Sequence, residues 1–277
     1  MLRKLYYLLT PAQRLLVRRI VFYPADIWDK LSGNKKELAP PRSMIYTGTG
    51  DFIKAGQLYL SYFIQYGELR PNHRVLDVGC GIGRMALPLT KYLDASGSYE
   101  GFDIVETGIK WCRENITSRY SNFRFQLVSL QNDLYSSSGD KAAEFSFPYK
   151  NSEFDFIFLT SVFTHMIPQE VENYVKEIER VLKPGGRCFA TFFVYGNQTP
   201  PVTSKRYFSF PIDHGHYKLL DPRVKSANVA FDYDYLSNQL AKENQLQITD
   251  FIPGYWRDME RKDERDFQDI IILKKPD

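Results

Sequence analysis

Residues 74–84 read Arg74-Val-Leu-Asp77-Val-Gly79-Cys80-Gly81-Ile-Gly83-Arg84, an apolar run that passes directly into a turn built on three glycines. Met85 to Leu93 then resumes a helical pattern despite Pro88 near its start. Strand, tight turn and helix in that order open a nucleotide-binding βαβ unit. The glycines let the turn bend sharply and bring backbone N–H groups against a ligand with no side chain between them.

Downstream the alternation continues. Tyr99 to Ile104, Phe123 to Leu130 and Phe154 to Ser161 read as strands, with a helix over Gly108 to Arg119. Pro168 suits the first turn of a helix in which Val171, Tyr174, Val175, Ile178, Val181 and Leu182 recur at helical spacing, and Pro184-Gly185-Gly186 stops it. Arg187 to Val194 is a fifth strand. Residues 195–232 break the rhythm and read as an insertion, after which Asp234 to Asn244 is a helix and Leu246 to Phe251 and Phe267 to Lys274 are two last strands. The expectation is an α/β fold, a doubly wound and mostly parallel sheet of about seven strands with helices on both faces. Ligands in such a sheet lie beyond the carboxyl ends of the strands, which puts residues 77–84, 103–106 and 160–165 around one crevice.

The 277 residues are 43% hydrophobic and 25% charged, proportions that exclude a disordered chain or a disulfide scaffold. The apolar runs Leu5 to Leu9 and Leu15 to Val17 are far shorter than a bilayer span. With three scattered cysteines, Cys80, Cys112 and Cys188, the expected setting is the reducing cytoplasm. Charge is unevenly spread: residues 1–42 hold nine Lys/Arg against three Asp/Glu, which leaves the remainder at −3. A weakly acidic body is unlike a nucleic-acid groove, so no nucleic-acid partner is expected. The basic arm reads as a helix from Pro11 that stops at Pro24 and packs on the body. Its alternative is peripheral membrane contact, with Leu15, Leu16, Ile20 and Phe22 in the surface and Arg14, Arg18 and Arg19 near anionic headgroups.

Spacing discriminates between cofactors. A dinucleotide fingerprint is G-x-G-x-x-G, whereas this loop is G-x-G-x-G with Arg84 where the third dinucleotide glycine falls. Asp103 lies where a ribose-binding carboxylate is expected in either case. The run from Val75 to Arg84 resembles the first motif of the class I S-adenosylmethionine-dependent methyltransferases. The likeness extends through Gly101-Phe-Asp-Ile, Phe154-Asp-Phe-Ile-Phe and Arg180-Val-Leu-Lys-Pro-Gly-Gly-Arg, covering roughly residues 72–194. It implies a Rossmann-like fold that closes in an antiparallel strand pair and takes S-adenosylmethionine as cofactor. Asp77, Gly79 and Gly81 would line its methionine part with Cys80, and Asp103 would hold the ribose hydroxyls with Ile104 near the adenine. A polar residue after the third strand would meet the adenine amine, and Gln131, Asn132 and Asp133 are all open for it. Gly48 and Asp51, in Tyr46-Thr-Gly48-Thr-Gly50-Asp51-Phe52, are candidates to close over the methionine end.

Methyl transfer needs an electron-rich acceptor held in line and shielded from water, and an alcohol acceptor needs a base for its proton. Candidate bases are His165, after the fourth strand, and His214 and His216 in Asp213-His214-Gly-His216-Tyr217. No metal is expected, because that cluster lacks a confirming partner spacing. The Asn/Asp-Pro-Pro-Tyr motif of amino-methylating DNA enzymes is absent, with Thr160-Ser-Val-Phe in its place, and there is no Pro-Cys nucleophile. The expected acceptor is therefore a hydroxyl on a small molecule, glycan or lipid. The expected organisation is a basic arm over 1–42 and a methyltransferase domain over 43–277. Within it lie cap helices at 43–71, a cofactor-binding core at 72–194, a substrate-side insertion at 195–232 and a closing helix and strand pair at 233–277. Competing readings are an NAD(P)-dependent oxidoreductase on a similar fold and a non-catalytic cofactor-binding protein.

Overall fold

The computed structural model of the chain describes residues 11–33, 38–46, 48, 50–131, 139–204, 208–221, 227–259 and 265–277. In chain order the elements are α1 (Pro11–Leu31), α2 (Phe52–Gln65), β1 (Arg74–Val78), α3 (Ala86–Tyr92), β2 (Ser98–Asp103), α4 (Glu106–Cys112), β3 (Phe123–Leu127) and β4 (Phe154–Leu159). They continue with α5 (Pro168–Val181), β5 (Leu182–Tyr195), β6 (Ile212–Asp213), β7 (Tyr217–Leu219), β8 (Val229–Asp232), β9 (Gln247–Ile252) and β10 (Asp269–Lys274).

The main sheet has the order β3-β2-β1-β4-β5-β10-β9. The first five strands are parallel, while β10 runs antiparallel to both β5 and β9. The chain winds outward from β1 to β3, then returns to add β4 and β5 on the other side, so β1 and β4 flank the switch point where a ligand crevice opens. These are the seven expected strands. Three more belong to the sheet: the insertion contributes β6, β7 and β8, with β8 parallel to the last residues of β5 from Phe193 to Tyr195. That excess over about seven strands arises because two- to four-residue strands carry no readable periodicity.

Alternate residues of the inner strands enter different cores. Leu76, Ile157, Leu159, Cys188 and Ala190 pack on the face covered by α5, through Val171, Val175 and Ile178. Val75, Phe156, Phe158 and Phe189 pack on the other face with α2 and α3. Both faces being buried is what a parallel sheet requires, and it explains why β1 and β4 read as continuous apolar runs. Phe63 of α2 sits on this second face, with ring centroids 4.4 Å from Phe158 and 4.9 Å from Phe189.

Several boundaries differ from expectation: β3 and β4 end at Leu127 and Leu159, and the helix expected over 108–119 is α-helical only to Cys112, with a π-helical turn over Arg113–Thr117. Helix α5 ends at Val181, three residues before Pro184, and β5 already includes Leu182 to Gly186, because Leu182 pairs with Phe154 of β4. Helix α1 runs through Pro24 to Leu31 rather than stopping there. Proline removes one intrahelical hydrogen bond, and contacts beyond it hold the second half: the Asp26 carboxylate accepts from the amides of Arg42 and Ser43 at 2.6 and 3.2 Å, and Asp29 accepts from the Arg42 guanidinium at 2.7 and 3.0 Å.

Candidate cofactor site

A cavity of about 390 Å³ opens at the carboxyl ends of β1, β2 and β4. The turn after β1 forms its floor. Gly79, Gly81 and Gly83 have φ of +79°, +57° and +76°, in the region that side chains disfavour. A Cβ on Gly79 would stand 2.7 Å from Cγ2 of Val162, across the crevice from the end of β4. The amides of Gly79 and Cys80 both donate to the Phe102 carbonyl, at 2.9 and 3.0 Å, which ties the turn to β2.

Asp77 and Asp103 stand at the two strand ends. Asp77 is buried; its Oδ2 accepts the Tyr99 hydroxyl at 2.6 Å, and its Oδ1 is buried with no hydrogen-bond partner. Burial holds its carboxyl well above the ordinary carboxylate range; the Tyr99 hydroxyl pulls it down and the Asp103 charge adds to the rise. Asp103 accepts from the amides of Gly81 and Val105, each at 2.8 Å. Burial raises its pKa too, opposed by those amides, by the Ile104 amide and by the Tyr46 hydroxyl. These features fit the group the glycine motif implies. The open Oδ1 of Asp77 suits a cationic donor such as an α-ammonium, and the fixed Asp103 carboxylate suits a diol.

Of the expected cofactor residues, Asp77, Gly79, Cys80, Gly81, Asp103, Ile104 and Gly48 all line the cavity. Cys80 is buried and, first through burial and then through Asp77, its thiol is pushed well above its ordinary pKa, so it contributes a neutral wall. Asn132 lies outside the described residues, whereas Gln131, another residue open for the adenine amine, lines the cavity beside Val128, Leu130 and Ala142. Asp51 is not brought to the cavity. Its carboxylate caps α2, accepting from the amides of Ile53 and Lys54 at 2.9 and 3.1 Å, a use of an Asp before a helix that competes directly with ligand binding.

The candidate bases separate. His165 ends the short 3₁₀ turn Phe163–His165 after β4 and lines the cavity with Met166, Glu170 and Tyr174. His214 and His216 do not line it. They occupy the β6–β7 hairpin, where the Gly215 turn exposes them: His214 stacks on Tyr217 at 4.7 Å and His216 packs on Tyr235 at 4.4 Å. Among the described residues no group of His, Cys, Asp or Glu is arranged to hold a metal.

Two wall residues, Tyr46 and Tyr59, lie outside the stretches expected at the crevice, and with Arg84 of the expected 77–84 stretch they close one side. The Tyr59 hydroxyl donates to Asp266 at 2.8 Å, from a residue 207 positions away, and the Arg84 guanidinium lies 5.2 Å over the Phe52 ring. A Cβ on Gly48 would overlap that guanidinium, so the glycine before α2 is needed for the arginine to enter. Ser161 is held at φ +59°, its amide donating to Thr191 Oγ1 at 2.7 Å and its hydroxyl to Gln268 at 3.0 Å. A non-glycine residue in that region at a cavity wall is a common mark of functional sites.

Residues 76–190 match the family model described as a methyltransferase domain. The methyltransferase GfsG of Streptomyces halstedii is 27% identical over 134 residues, 48% of this chain and 42% of that protein, so the chain spans less than half of that relative's length. The demethylmenaquinone methyltransferase of Lactobacillus johnsonii is 28% identical over 214 residues, 76% of this chain and 75% of that protein. Among solved structures, the 1,6-didemethyltoxoflavin-N1-methyltransferase of Burkholderia thailandensis superposes with a TM-score of 0.51 at 16% identity, over 97% of this chain and 92% of that one, and so shares its fold. The family match covers residues 76–190 and contains the glycine turn, so this part of the chain is similar to the class I S-adenosylmethionine-dependent methyltransferases.

Proposed function

We propose that this chain transfers a methyl group from S-adenosylmethionine to a hydroxyl of a small molecule, glycan or lipid, with His165 taking the hydroxyl proton. The observation that carries the reading is a single cavity whose wall includes Asp77, Asp103 and His165 together. S-adenosylmethionine, when bound, supplies a methyl group on a sulfonium whose C–S electron pair departs with the sulfur. The chain's own work is then to orient, to exclude water and to move one proton. Asp77 and the Gly79–Gly81 turn would line the methionine end, Asp103 would hold the ribose, and Ile104, Leu130 and Gln131 would face the adenine. That division leaves the side of the cavity bearing His165, Met166 and Tyr174 for an acceptor.

The acceptor class is supported by the apolar and aromatic character of that side and by the weakly acidic body. A small acceptor is also in keeping with the similarity to the demethylmenaquinone methyltransferase of Lactobacillus johnsonii. Three free and buried cysteines support the cytoplasmic setting. Radiolabelled methyl transfer from S-adenosylmethionine across panels of phenols, quinols, glycans and lipids tests the proposal. Product on a hydroxyl, lost in His165→Gln while S-adenosylhomocysteine still binds, supports it. Transfer only to protein or nucleic acid overturns it.

A further inference from the structure

Helix α1 is attached to the body by the wrong face for an ordinary surface helix. Arg18, Phe22, Ala25, Asp26 and Asp29 are the partly buried residues, and the clamp between Asp26, Asp29 and Arg42, Ser43 is polar. Outward, Leu16, Ile20, Val21, Ile27, Trp28 and Leu31 are 57, 65, 63, 44, 69 and 79% exposed. At 100° per residue these six, with Val17 and Tyr23, fall on one arc of about 160°, shared among the described polar side chains only by Gln13 near the helix start. Solvent therefore meets a continuous apolar stripe, although a helix docked on its own domain buries that stripe. The membrane-contact alternative expects Phe22 and Arg18 at the outer surface, whereas both are partly buried; the side chains of Arg14 and Leu15 lie outside the described residues.

We infer that α1 is an interfacial helix that seats this outward stripe in an anionic lipid bilayer, parallel to its surface. Two observations select this occupant over a second copy of the chain. Residues 1–42 carry nine Lys/Arg against three Asp/Glu, and two of those acids, Asp26 and Asp29, are turned to the body by the clamp. Pairing two such arms through the stripe would bring two strongly cationic segments together, whereas an anionic surface neutralises each one. Tyr23 and Trp28 lie toward opposite margins of the arc, at the depth where amphipathic rings meet headgroups. No helix among the described residues is long and apolar enough to cross a membrane, so the contact is peripheral. The inner side of α1 also adjoins the cavity: Arg18 is near enough to Arg84 to weigh on its charge. Seating α1 would bring the cavity close to the lipid surface.

Trp28 makes the test site-specific, because the other tryptophans, Trp111 and Trp256, are already buried at 7 and 1% exposure. The full chain is mixed with vesicles of phosphatidylcholine containing phosphatidylserine, and with vesicles of phosphatidylcholine alone. The expected result is flotation and a blue shift of the Trp28 emission on the anionic vesicles, with partitioning at least about tenfold weaker on the neutral ones. Ile20→Glu with Leu31→Glu is expected to cut anionic partitioning by at least about tenfold at an unchanged melting temperature, since both side chains are exposed. Absence of flotation by the folded wild type overturns the inference. So does equal binding to both vesicles, or a dimer in solution that the double substitution dissociates without any vesicle binding by the wild type.

Discussion

Gly79→Ala should cost this protein about 2–5 kcal/mol of stability, from two separable causes. Gly79 sits at φ +79°, where an L side chain costs roughly 1–2 kcal/mol. Its new Cβ would also lie 2.7 Å from Val162 Cγ2, well inside a normal carbon contact of about 3.5–4.0 Å. Val162 is partly buried and follows the end of β4, so it cannot swing away without disturbing the cavity wall; overpacking of this kind costs about 1–3 kcal/mol. For a domain of this size the sum corresponds to a fall in melting temperature of roughly 4–20 °C. The second cause is removable. Val162→Ala in the same chain deletes the clashing methyl, so the double variant should recover about 1–2 kcal/mol relative to additivity, leaving the backbone cost in place. Differential scanning calorimetry of the wild type, both single variants and the double variant reads all four corners of the cycle. A single variant that melts with the wild type, or a pair that is simply additive, would refute the reasoning.

Other outcomes follow from the same geometry. His165→Gln is expected to lower methyl transfer by about 10²–10⁴-fold with S-adenosylhomocysteine affinity nearly unchanged, whereas His214→Ala and His216→Ala, on the exposed hairpin, should leave turnover within about twofold; steady-state kinetics and calorimetry of the same preparations check both. Asp269 is buried beside Arg257 at 3.0 Å, and burial pushes its carboxyl up to about 6 against the pull of Arg257 and its N–H donors. Because that folded-state value lies above the unfolded one near 3.9, the folded chain holds the extra proton. The contribution of this group is thus greatest below about pH 4 and is lost as the pH rises through 6. Melting curves from pH 4 to 7 should show that decline, and its absence from the difference between wild type and Asp269→Asn would contradict the assignment. Asp269→Ala at pH 7 should cost about 3–5 kcal/mol, since it leaves the buried Arg257 without its counter-charge.

The parts of the fold legible from sequence are those where local chemistry and tertiary demand coincide. The β1 run is apolar because both its faces are buried, and Gly79, Gly81 and Gly83 are glycines because the backbone there turns through positive φ, so strand and turn announce themselves. Asp103 was legible for a similar reason: the end of β2 must lie beside the end of β1. What was not legible depends on distant partners. Nothing local to Pro24 shows that Asp26 and Asp29 will meet Arg42 and Ser43 and hold the helix beyond it. Asp51 before a helix reads equally as a cap or a ligand, and only the described contacts with Ile53 and Lys54 separate the two. Tyr59 lines the cavity and its hydroxyl pairs with Asp266, 207 positions away, which no local pattern encodes. His214 and His216 attracted attention by clustering, which a three-residue turn between aromatic neighbours explains without chemistry.

The most direct test of the central claim is calorimetric titration of the purified chain with S-adenosylhomocysteine and, separately, with NAD, repeated on Asp103→Asn. The account predicts binding of S-adenosylhomocysteine alone, weakened by about 1–3 kcal/mol in the variant as the ribose hydroxyls lose a charged acceptor. Binding of NAD in its place, or an affinity for S-adenosylhomocysteine indifferent to Asp103, would contradict it.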